Sequence, residues 1–263
     1  MTLFIEFTKC SFRRTLTYRA AAFAGLVTNF FFGLLRVAVL LALFGDEQNV
    51  QGYSVAGVIT YTALTQALIA FLSLFGWYGL MQSVHSGEVG ADLLKPMNYF
   101  SFWMAHDAGR AAASLLLNGV TFMLIFDLVF DMVYPNGLLQ WLALTVSLGL
   151  AWLLSFAFRF LVNLAAFWSP NAMGTGRFIF FTAMFCSGFM MPLGLFPDWV
   201  QRLCYLTPFP HILNTVIDIY LNRIVGWDLL GSLLLQALWA FILVVAGQLL
   251  LGRGIRRLVI LGG

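Results

Sequence analysis

The stretch AAAFAGLVTNFFFGLLRVAVLLALF, residues 20–44, contains a single charged residue, Arg36. A helix needs about 20 consecutive apolar residues to cross the hydrocarbon core of a membrane, so this stretch predicts a transmembrane helix. The short apolar run before it, residues 3–7, is interrupted by Glu6 and followed by four cations within residues 9–19. That order differs from a cleavable signal peptide, and we expect residues 20–44 to remain in the protein as a span.

The composition of the whole chain agrees with a membrane location. Of its 263 residues, 61% are apolar and 10% are charged, and the mean hydropathy is +0.90. Soluble proteins average roughly 45–50% apolar and about 25% charged residues. The expected fold is therefore an all-α integral membrane protein in which residues 1–263 form a single transmembrane domain. Six spans are predicted, at residues 20–44, 53–81, 110–130, 138–167, 177–196 and 229–251.

The distribution of Lys and Arg predicts the orientation of the chain, because cytoplasmic loops carry an excess of these residues. With the N-terminus in the cytoplasm, only Arg202 and Arg223 fall outside. Eleven cations then fall inside: Lys9, Arg13, Arg14, Arg19, Lys95, Arg110, Arg159, Arg177, Arg253, Arg256 and Arg257. We therefore expect a multi-pass protein of the cell (inner) membrane with both termini in the cytoplasm.

The N-terminal segment, residues 1–19, is predicted to lie along the cytoplasmic membrane surface. It combines its cations with the apolar or aromatic residues Phe12, Leu16 and Tyr18. Such a helix places its apolar side chains at the acyl boundary and its cations toward anionic headgroups. An ordinary basic flank of the first span is the alternative.

The outer segment, residues 197–228, is too polar to span the membrane and too apolar to be a plain loop. Apolar residues of its second half recur at roughly helical spacing, and Pro208 and Pro210 interrupt the segment. Two short amphipathic helices that re-enter the outer leaflet fit this pattern. Irregular backbone at membrane depth must be buried in protein or line water, so other spans should cover them.

Motifs for catalysis or metal binding are absent from the sequence. Neither of the two lysines, Lys9 and Lys95, follows the glycine-rich pattern that cradles ATP phosphates. The three histidines stand alone, without the spacing of metal ligands. The net charge of +3 is small and scattered, which argues against nucleic acid as a partner. We expect no catalytic residue, no cofactor and no metal in this chain.

Arg36 is the main anomaly within the predicted spans. A charge at the centre of a bilayer costs several kcal/mol, so an ionisable residue there is a functional candidate. Two explanations stand side by side: Arg36 pairs with polar atoms or extends to the outer surface, or it lines a cavity. Asp127 lies a few residues from the outer end of its span and is expected at the rim.

Two longer motifs flank the second and fifth spans. The first reads SGE at residues 86–88 and DLLKP at residues 92–96; the second reads MPLGLFPDW at residues 191–199 and ends in Pro208-Phe209. The first motif is long and apolar for a connector, as a docking site for a cytoplasmic partner would be, although an interfacial helix also explains it. Together with the six predicted spans and the basic N-terminus, these motifs resemble permease subunits of type-2 ABC exporters over nearly the whole chain.

The resemblance implies an assembly of two permease chains, identical or homologous, with two separate ATP-binding subunits in the lipid bilayer. ATP and Mg would be bound by those subunits, and this chain would not be an enzyme. The loop after the second span would couple to the ATPase, which points to Gly87, Glu88, Asp92, Leu94 and Pro96. The segment after the fifth span would cap an outer gate, which points to Pro192, Pro197, Trp199, Pro208 and Phe209.

The function that the resemblance implies is ATP-driven export by alternating access. The second span is rich in aromatic residues, and Phe71 and Phe75 join Arg36 as candidates for lining the cavity, which favours amphipathic or hydrophobic cargo. Two other functions remain open. An ion-coupled secondary transporter would depend on Arg36 or Asp127 and need no ATPase, and a membrane scaffold would transport nothing.

Overall fold

A computed structural model of the chain describes residues 2–257, and almost all of its regular structure is helical. Met1 and residues 258–263, the two ends of the predicted domain, lie outside the described residues. The strands in the described part are β1 (Asn49–Val50) and β2 (Tyr53–Ser54), which form a short antiparallel sheet. The predicted all-α class is confirmed.

The helices follow in chain order. They are α1 (Thr2–Thr17), α2 (Arg19–Phe44), α3 (Val55–Leu72), α4 (Gly79–Ser86), α5 (Val89–Leu93), α6 (Tyr99–Ser114), α7 (Thr121–Asp127), α8 (Gly137–Asn163), α9 (Ala172–Cys186), α10 (Asp198–Tyr205), α11 (Asn214–Tyr220) and α12 (Gly226–Ile255). A π-helical stretch, Leu115–Val120, joins α6 to α7, and 3-10 turns lie at Leu164–Phe167, Leu193–Leu195 and Phe209–His211.

Five helical stretches are long and apolar enough to cross a membrane: Ala22–Phe44, Val55–Leu72, Tyr99–Asp127, Gly137–Phe167 and Gly226–Ile255. The predicted spans 20–44, 138–167 and 229–251 agree with three of them to within a few residues. The helix of the third predicted span, 110–130, begins earlier, at Tyr99. The polar stretch 82–109 was predicted to connect the second and third spans, but Asp107 within it lies on the helix and pairs with Arg110.

The second predicted span, 53–81, is not one helix. α3 ends at Leu72, and Ser73 and Gly76 both have positive φ angles, 50° and 91°, which no continuous helix contains. A Cβ atom on Gly76 would lie 2.4 Å from the ring of Phe180, so glycine is required there by both backbone and space. The residues after this turn form α4, a separate short helix.

The fifth predicted span, 177–196, is also shorter as a helix. α9 contains 15 residues, or about 22 Å of helix, against roughly 30 Å of hydrocarbon core. The chain turns after it at Gly188, whose φ is +82° and whose Cβ would lie 2.6 Å from the hydroxyl of Tyr61. Five candidate spans are thus observed among residues 2–257, and a six-span topology is not confirmed.

The fold is organised around α3, in which 83% of the residues are buried. Its neighbours include α2, α6, the π-helical stretch, α7, α8 and α11. In an 18-residue window of α2, by contrast, only 17% of the residues are buried. Most of the α2 surface is therefore left for lipid or for another chain.

The N-terminal helix α1 lies against α6. The crossing point is Gly109, where an added Cβ would lie 2.1 Å from the carbonyl oxygen of Thr8. Ser11 Oγ donates a hydrogen bond of 2.6 Å to the carbonyl of His106 close by. Only glycine at position 109 allows the two backbones to approach this closely.

Candidate functional site

The predicted coupling loop, residues 86–96, is a compact structure held by internal bonds. Asp92 accepts hydrogen bonds from Ser83 Oγ at 2.9 Å and from Lys95 Nζ at 2.7 Å. The Lys95 ammonium also lies 3.9 Å from the ring centre of Phe102 on α6. Val89 on α5 is buried against the same region. These contacts fix the shape of the loop.

Four of the five predicted coupling residues lie on the outside of this loop. Gly87, with a φ of +80°, ends α4, and Glu88 precedes α5. Both are exposed, as is Pro96, and the side chain of Leu94 is 87% exposed. Asp92 differs from the other four, because its carboxylate is used within the loop.

Asn163 joins α4, the helix that leads into the coupling loop, to the end of α8. Its Oδ1 accepts a hydrogen bond of 3.1 Å from the backbone N–H of Met81 in α4. Its Nδ2 donates to the carbonyls of Trp77 at 2.6 Å and Arg159 at 2.7 Å. Asn163 is fully buried, so these bonds form a rigid connection between α4 and α8.

One helical turn before Asn163 lies an ion-pair cluster that the sequence analysis did not predict. Arg159, 1% exposed, donates two hydrogen bonds to the Asp107 carboxylate, at 3.0 and 2.9 Å. Arg110 Nε donates to the same carboxylate at 3.0 Å, and Trp152 Nε1 does so at 3.0 Å. The cluster holds two arginines and one carboxylate, and α6 and α8 are joined by it.

The same cluster binds the end of α3. Arg110 donates to the backbone carbonyls of Ala70 and Phe71, the latter at 3.2 Å, and Ser155 Oγ donates to that of Leu72 at 2.6 Å. The last carbonyls of a helix have no partner within it and carry the negative end of its dipole. The Arg110 guanidinium and the Ser155 hydroxyl therefore stabilise the end of α3 at Leu72.

Arg36 is paired with polar atoms of two neighbouring elements. Its guanidinium donates to Thr65 Oγ1 at 2.9 Å and to the carbonyls of Phe189 and Met190, the latter at 3.1 Å. It also lies 4.7 Å from the ring centre of Phe189, and Phe75 packs on that ring at 5.7 Å. The guanidinium thus holds the turn after α9 against α2 and α3.

The three predicted cavity residues are only partly brought together. Arg36 and Phe75 share Phe189 as a neighbour, and Phe75 is 60% exposed. Phe71, 7% exposed, is packed into the main apolar core instead.

Asn214, at the start of α11, is the centre of a buried polar network in the outer segment. Its Oδ1 accepts from Tyr61 Oη at 2.9 Å and from the N–H of Leu193 at 3.3 Å. Its Nδ2 donates to Asp218 at 2.6 Å, and its backbone N–H donates to the carbonyl of Ser187 at 3.2 Å. One side chain therefore joins α3, α11 and the 3-10 turn Leu193–Leu195.

Asp218 extends this network to the beginning of α3. Tyr53 Oη donates to its carboxylate at 3.3 Å, and Arg223 Nε lies 3.4 Å away. Arg223 also stacks on Tyr53, 3.7 Å from the ring centre. Burial raises the pKa of the Asp218 carboxyl, which lies outside the five candidate spans, to about 6, against the opposing effect of Arg223.

The predicted outer-gate residues fall into two groups. Pro192 is buried, and Phe209 packs edge-on against Phe158 of α8 at 5.1 Å; Pro208 lies directly before the 3-10 turn. Pro197 and Trp199 are exposed at the beginning of α10, Trp199 at 67%. The segment contains two short helices, α10 and α11, separated by the 3-10 turn Phe209–His211.

An apolar cavity of about 380 Å³ lies between α3, α7, α8 and α11. Leu64, Leu68, Met123 and Leu148 are among the residues that line it, together with the π-helical stretch Leu115–Val120. Asp127 and Tyr134 supply polar groups at the end of the cavity nearest the loop after α7. π-Helical turns occur often at functional positions.

No metal site is formed by the described residues, since residues 2–257 contain no group of three or more His, Cys, Asp or Glu side chains that could hold an ion.

Comparison with known proteins bears directly on these features. No curated protein matches the chain. The model of the family described as "ABC-2 family transporter protein" matches residues 29–262, which include every candidate span except the first seven residues of Ala22–Phe44. The predicted resemblance is thereby confirmed, and with it a multi-pass membrane location: the chain belongs to the ABC-2 family of transporter membrane proteins.

Proposed function

We propose that this chain is the permease subunit of an ATP-driven exporter, in which two permease chains, identical or homologous, form the translocation path and two separate subunits bind and hydrolyse ATP. The observation that carries the proposal is the coupling loop. It has a fixed backbone, an apolar side chain that is 87% exposed at Leu94, and an acidic group at Glu88. An exposed anchor on a rigid support is what a protein-binding hot spot requires.

The polar contacts behind the loop supply a route for coupling. Asn163 connects α4, which leads into the loop, to α8, and Arg159, one turn away, connects α8 to Asp107 on α6. Arg110 then reaches the carbonyls that end α3. In the proposed cycle, closure of the ATP-binding subunits moves the loop, and this chain of contacts transmits the movement to α3. Coupling requires that the two permease conformations bind the two ATPase states with different affinity.

The outer segment is the proposed gate. Arg36 and Asn214 both bind the turn that follows α9, from the α2 side and the α11 side respectively. A displacement of α3 would therefore reach Leu193, next to Pro192, through Tyr61 and Asn214. We place this segment in the outer leaflet, α1 at the cytoplasmic interface and both termini in the cytoplasm of a cell (inner) membrane, with α9 and the turn after it completing a sixth, interrupted span.

The proposed cargo is amphipathic or hydrophobic. The cavity of about 380 Å³ is lined almost entirely by apolar side chains, with polar groups only at the end formed by Asp127 and Tyr134. Such a cavity accepts an apolar group and leaves a polar one at its mouth.

The coupling loop is tested in the complex purified with its ATP-binding subunit. Leu94→Ala and Glu88→Arg are expected to reduce permease-dependent ATPase stimulation about five- to thirtyfold, since loss of an interface anchor costs about 1–2 kcal/mol. Leu203→Ala is the matched control, because Leu203 is an exposed leucine of a short helix in the outer segment.

Unchanged stimulation in Leu94→Ala, with the complex intact, would remove the loop from the ATPase contact. Transport that continues without any ATP-binding subunit would contradict the exporter itself and favour the ion-coupled alternative.

A further inference from the structure

A pocket of about 320 Å³ lies between α1, the beginning of α2 and α6. It is separate from the coupling loop, the outer segment and the apolar cavity. All but one of its lining residues are polar, the exception being Ala22: Ser11, Arg14, Thr15, Tyr18, His106, Arg110 and Asn118. No carboxylate lines it, so the pocket is positively charged.

The charge at the base of the pocket is not balanced by the protein. Asp107 pairs with both Arg159 and Arg110, and these three residues together carry one positive charge in excess. Arg159 is 1% exposed and completely enclosed, whereas the side chain of Arg110 is 23% exposed and lines the pocket. The excess charge therefore faces the pocket through Arg110.

Arg14 adds a second positive charge at the wall. Within residues 2–257, no carboxylate forms a salt bridge with it and no hydrogen bond occupies its guanidinium. Two hydroxyls of the pocket are already used, because Ser11 donates to His106 and Thr15 donates to the carbonyl of Ser11. The donors available to a ligand are thus Arg14, Tyr18, the His106 ring and the Asn118 amide, together with the N–H groups that Arg110 does not already use for Asp107, Ala70 and Phe71.

The position of the pocket indicates where such a ligand comes from. α1 crosses α6 at Gly109, next to Arg110, so the pocket lies at the level of the N-terminal helix. In a bilayer, a basic amphipathic helix of this kind lies at the boundary between headgroups and acyl chains. Ala22, near the beginning of the first candidate span, continues the pocket toward the hydrocarbon.

We propose that this pocket binds the phosphate headgroup of an anionic phospholipid of the inner leaflet, with the acyl chains directed along α2. The phosphate supplies the negative charge that the Asp107 cluster lacks, and Arg14 and Arg110 bind it from two sides. The lipid joins α1 to the remainder of the membrane domain. The proposal is independent of the ATPase contact and of the transported cargo.

The test uses the full chain, purified, delipidated and titrated with dioleoyl-phosphatidylglycerol or dioleoyl-phosphatidylcholine, with native mass spectrometry as the readout of bound lipid. The two lipids share their acyl chains, so a difference between them reports the headgroup. The wild-type chain is expected to bind its first phosphatidylglycerol about tenfold more tightly. Arg14→Gln should reduce that preference about fivefold, the effect of one basic residue near an anionic surface. Arg14→Lys, which retains the charge, should keep most of it.

Arg13→Gln is the matched control. Arg13 is adjacent in α1 and also exposed, but it does not line the pocket. Equal losses in Arg13→Gln and Arg14→Gln would mean a diffuse basic surface and overturn the site. Equal binding of the two lipids by the wild-type chain would do the same. Displacement of phosphatidylglycerol by inorganic phosphate would show a site for a free anion, and the lipid assignment would be wrong.

Discussion

At the scale of single residues, the arginines in apolar surroundings follow a common rule. Arg36 binds the carbonyls of the turn after α9, and Arg110 binds the carbonyls that end α3. In both cases a guanidinium, which is always charged, satisfies backbone acceptors. Those of Arg110 are in the last turn of α3, where a helix leaves its carbonyls open, and those of Arg36 lie in the turn beyond α9. Arg159 is different, because its partner is the carboxylate of Asp107.

This difference leads to a prediction about the buried cluster. Asp107→Asn leaves the buried Arg159 and the partly exposed Arg110 without a carboxylate, and removing one partner of a buried pair costs about 3–5 kcal/mol. Arg159→Gln leaves Asp107 paired with Arg110 and the cluster without net charge, so it should destabilise the protein less. The melting temperatures of the two purified variants, measured in the same detergent, compare the two effects.

Glu88→Gln is the control for loss of a carboxylate, since Glu88 is exposed on the coupling loop. The melting temperature of Glu88→Gln should equal that of the wild-type chain. A melting temperature of Arg159→Gln equal to or below that of Asp107→Asn would show that net charge does not govern this cluster.

At the scale of elements, the short helices owe their positions to polar contacts. α9 has 15 residues and α11 has seven, too few for a helix that is stable alone. Asn214 joins α11 to Tyr61 of α3 and to Leu193 beyond α9. The outer segment is therefore held to the long helices by hydrogen bonds as well as by apolar packing.

The consequence is measurable by hydrogen exchange. Asn214→Ala removes the acceptor of the Leu193 N–H and the Nδ2 donor of the Asp218 carboxylate, and each unpaired buried group costs about 1–3 kcal/mol. Amides of residues 193–206 should exchange faster as the segment opens locally. The readout is exchange of the whole chain in detergent followed by mass spectrometry.

Asn222→Gly separates this effect from a general loss of stability. The Asn222 side chain binds the N–H of Asn136 and the carbonyl of Tyr134, in the loop after α7, and its φ of +58° suits glycine. Asn222→Gly should speed amide exchange in residues 131–137 and leave the exchange of residues 193–206 unchanged. Faster exchange of both regions in both variants would mean that Asn214 does not stabilise the outer segment locally.

At the scale of the whole molecule, burial is very uneven. In 18-residue windows, 17% of α2 and 22% of α12 are buried, against 83% of α3. Exposed apolar side chains on α2 include Phe23, Phe31 and Leu43. A membrane protein leaves such faces to lipid or to other helices. The proposed second permease would occupy part of this surface.

Native mass spectrometry of the chain extracted from its host membranes tests the assembly. We expect two permease chains with two copies of an ATP-binding protein, and the masses distinguish identical from homologous permeases. Addition of ATP should change the complex. A chain that comes out alone, or with unrelated proteins and no response to ATP, would contradict the assembly.

Much of the fold and part of the site could be predicted from local sequence. The hydropathy of residues 20–44 and 138–167 predicted helices that the structure contains. Leu94 and Pro96 were predicted in a coupling loop and are exposed there, although their contact with an ATPase stays a prediction. The sequence did not predict that the Asp92 carboxylate is used within the loop, because its partner Ser83 lies in another helix.

The sequence by itself determined that this is a helical membrane protein, since hydropathy and the excess of cations are sums over neighbouring residues. Only the tertiary structure decided where α3 ends and what surrounds the buried arginines. Arg159 and Asp107 are 52 positions apart, and Arg36 is 154 positions from Met190. Hydropathy counts each of these charges as unfavourable, and only the folded chain brings together the partners that neutralise them.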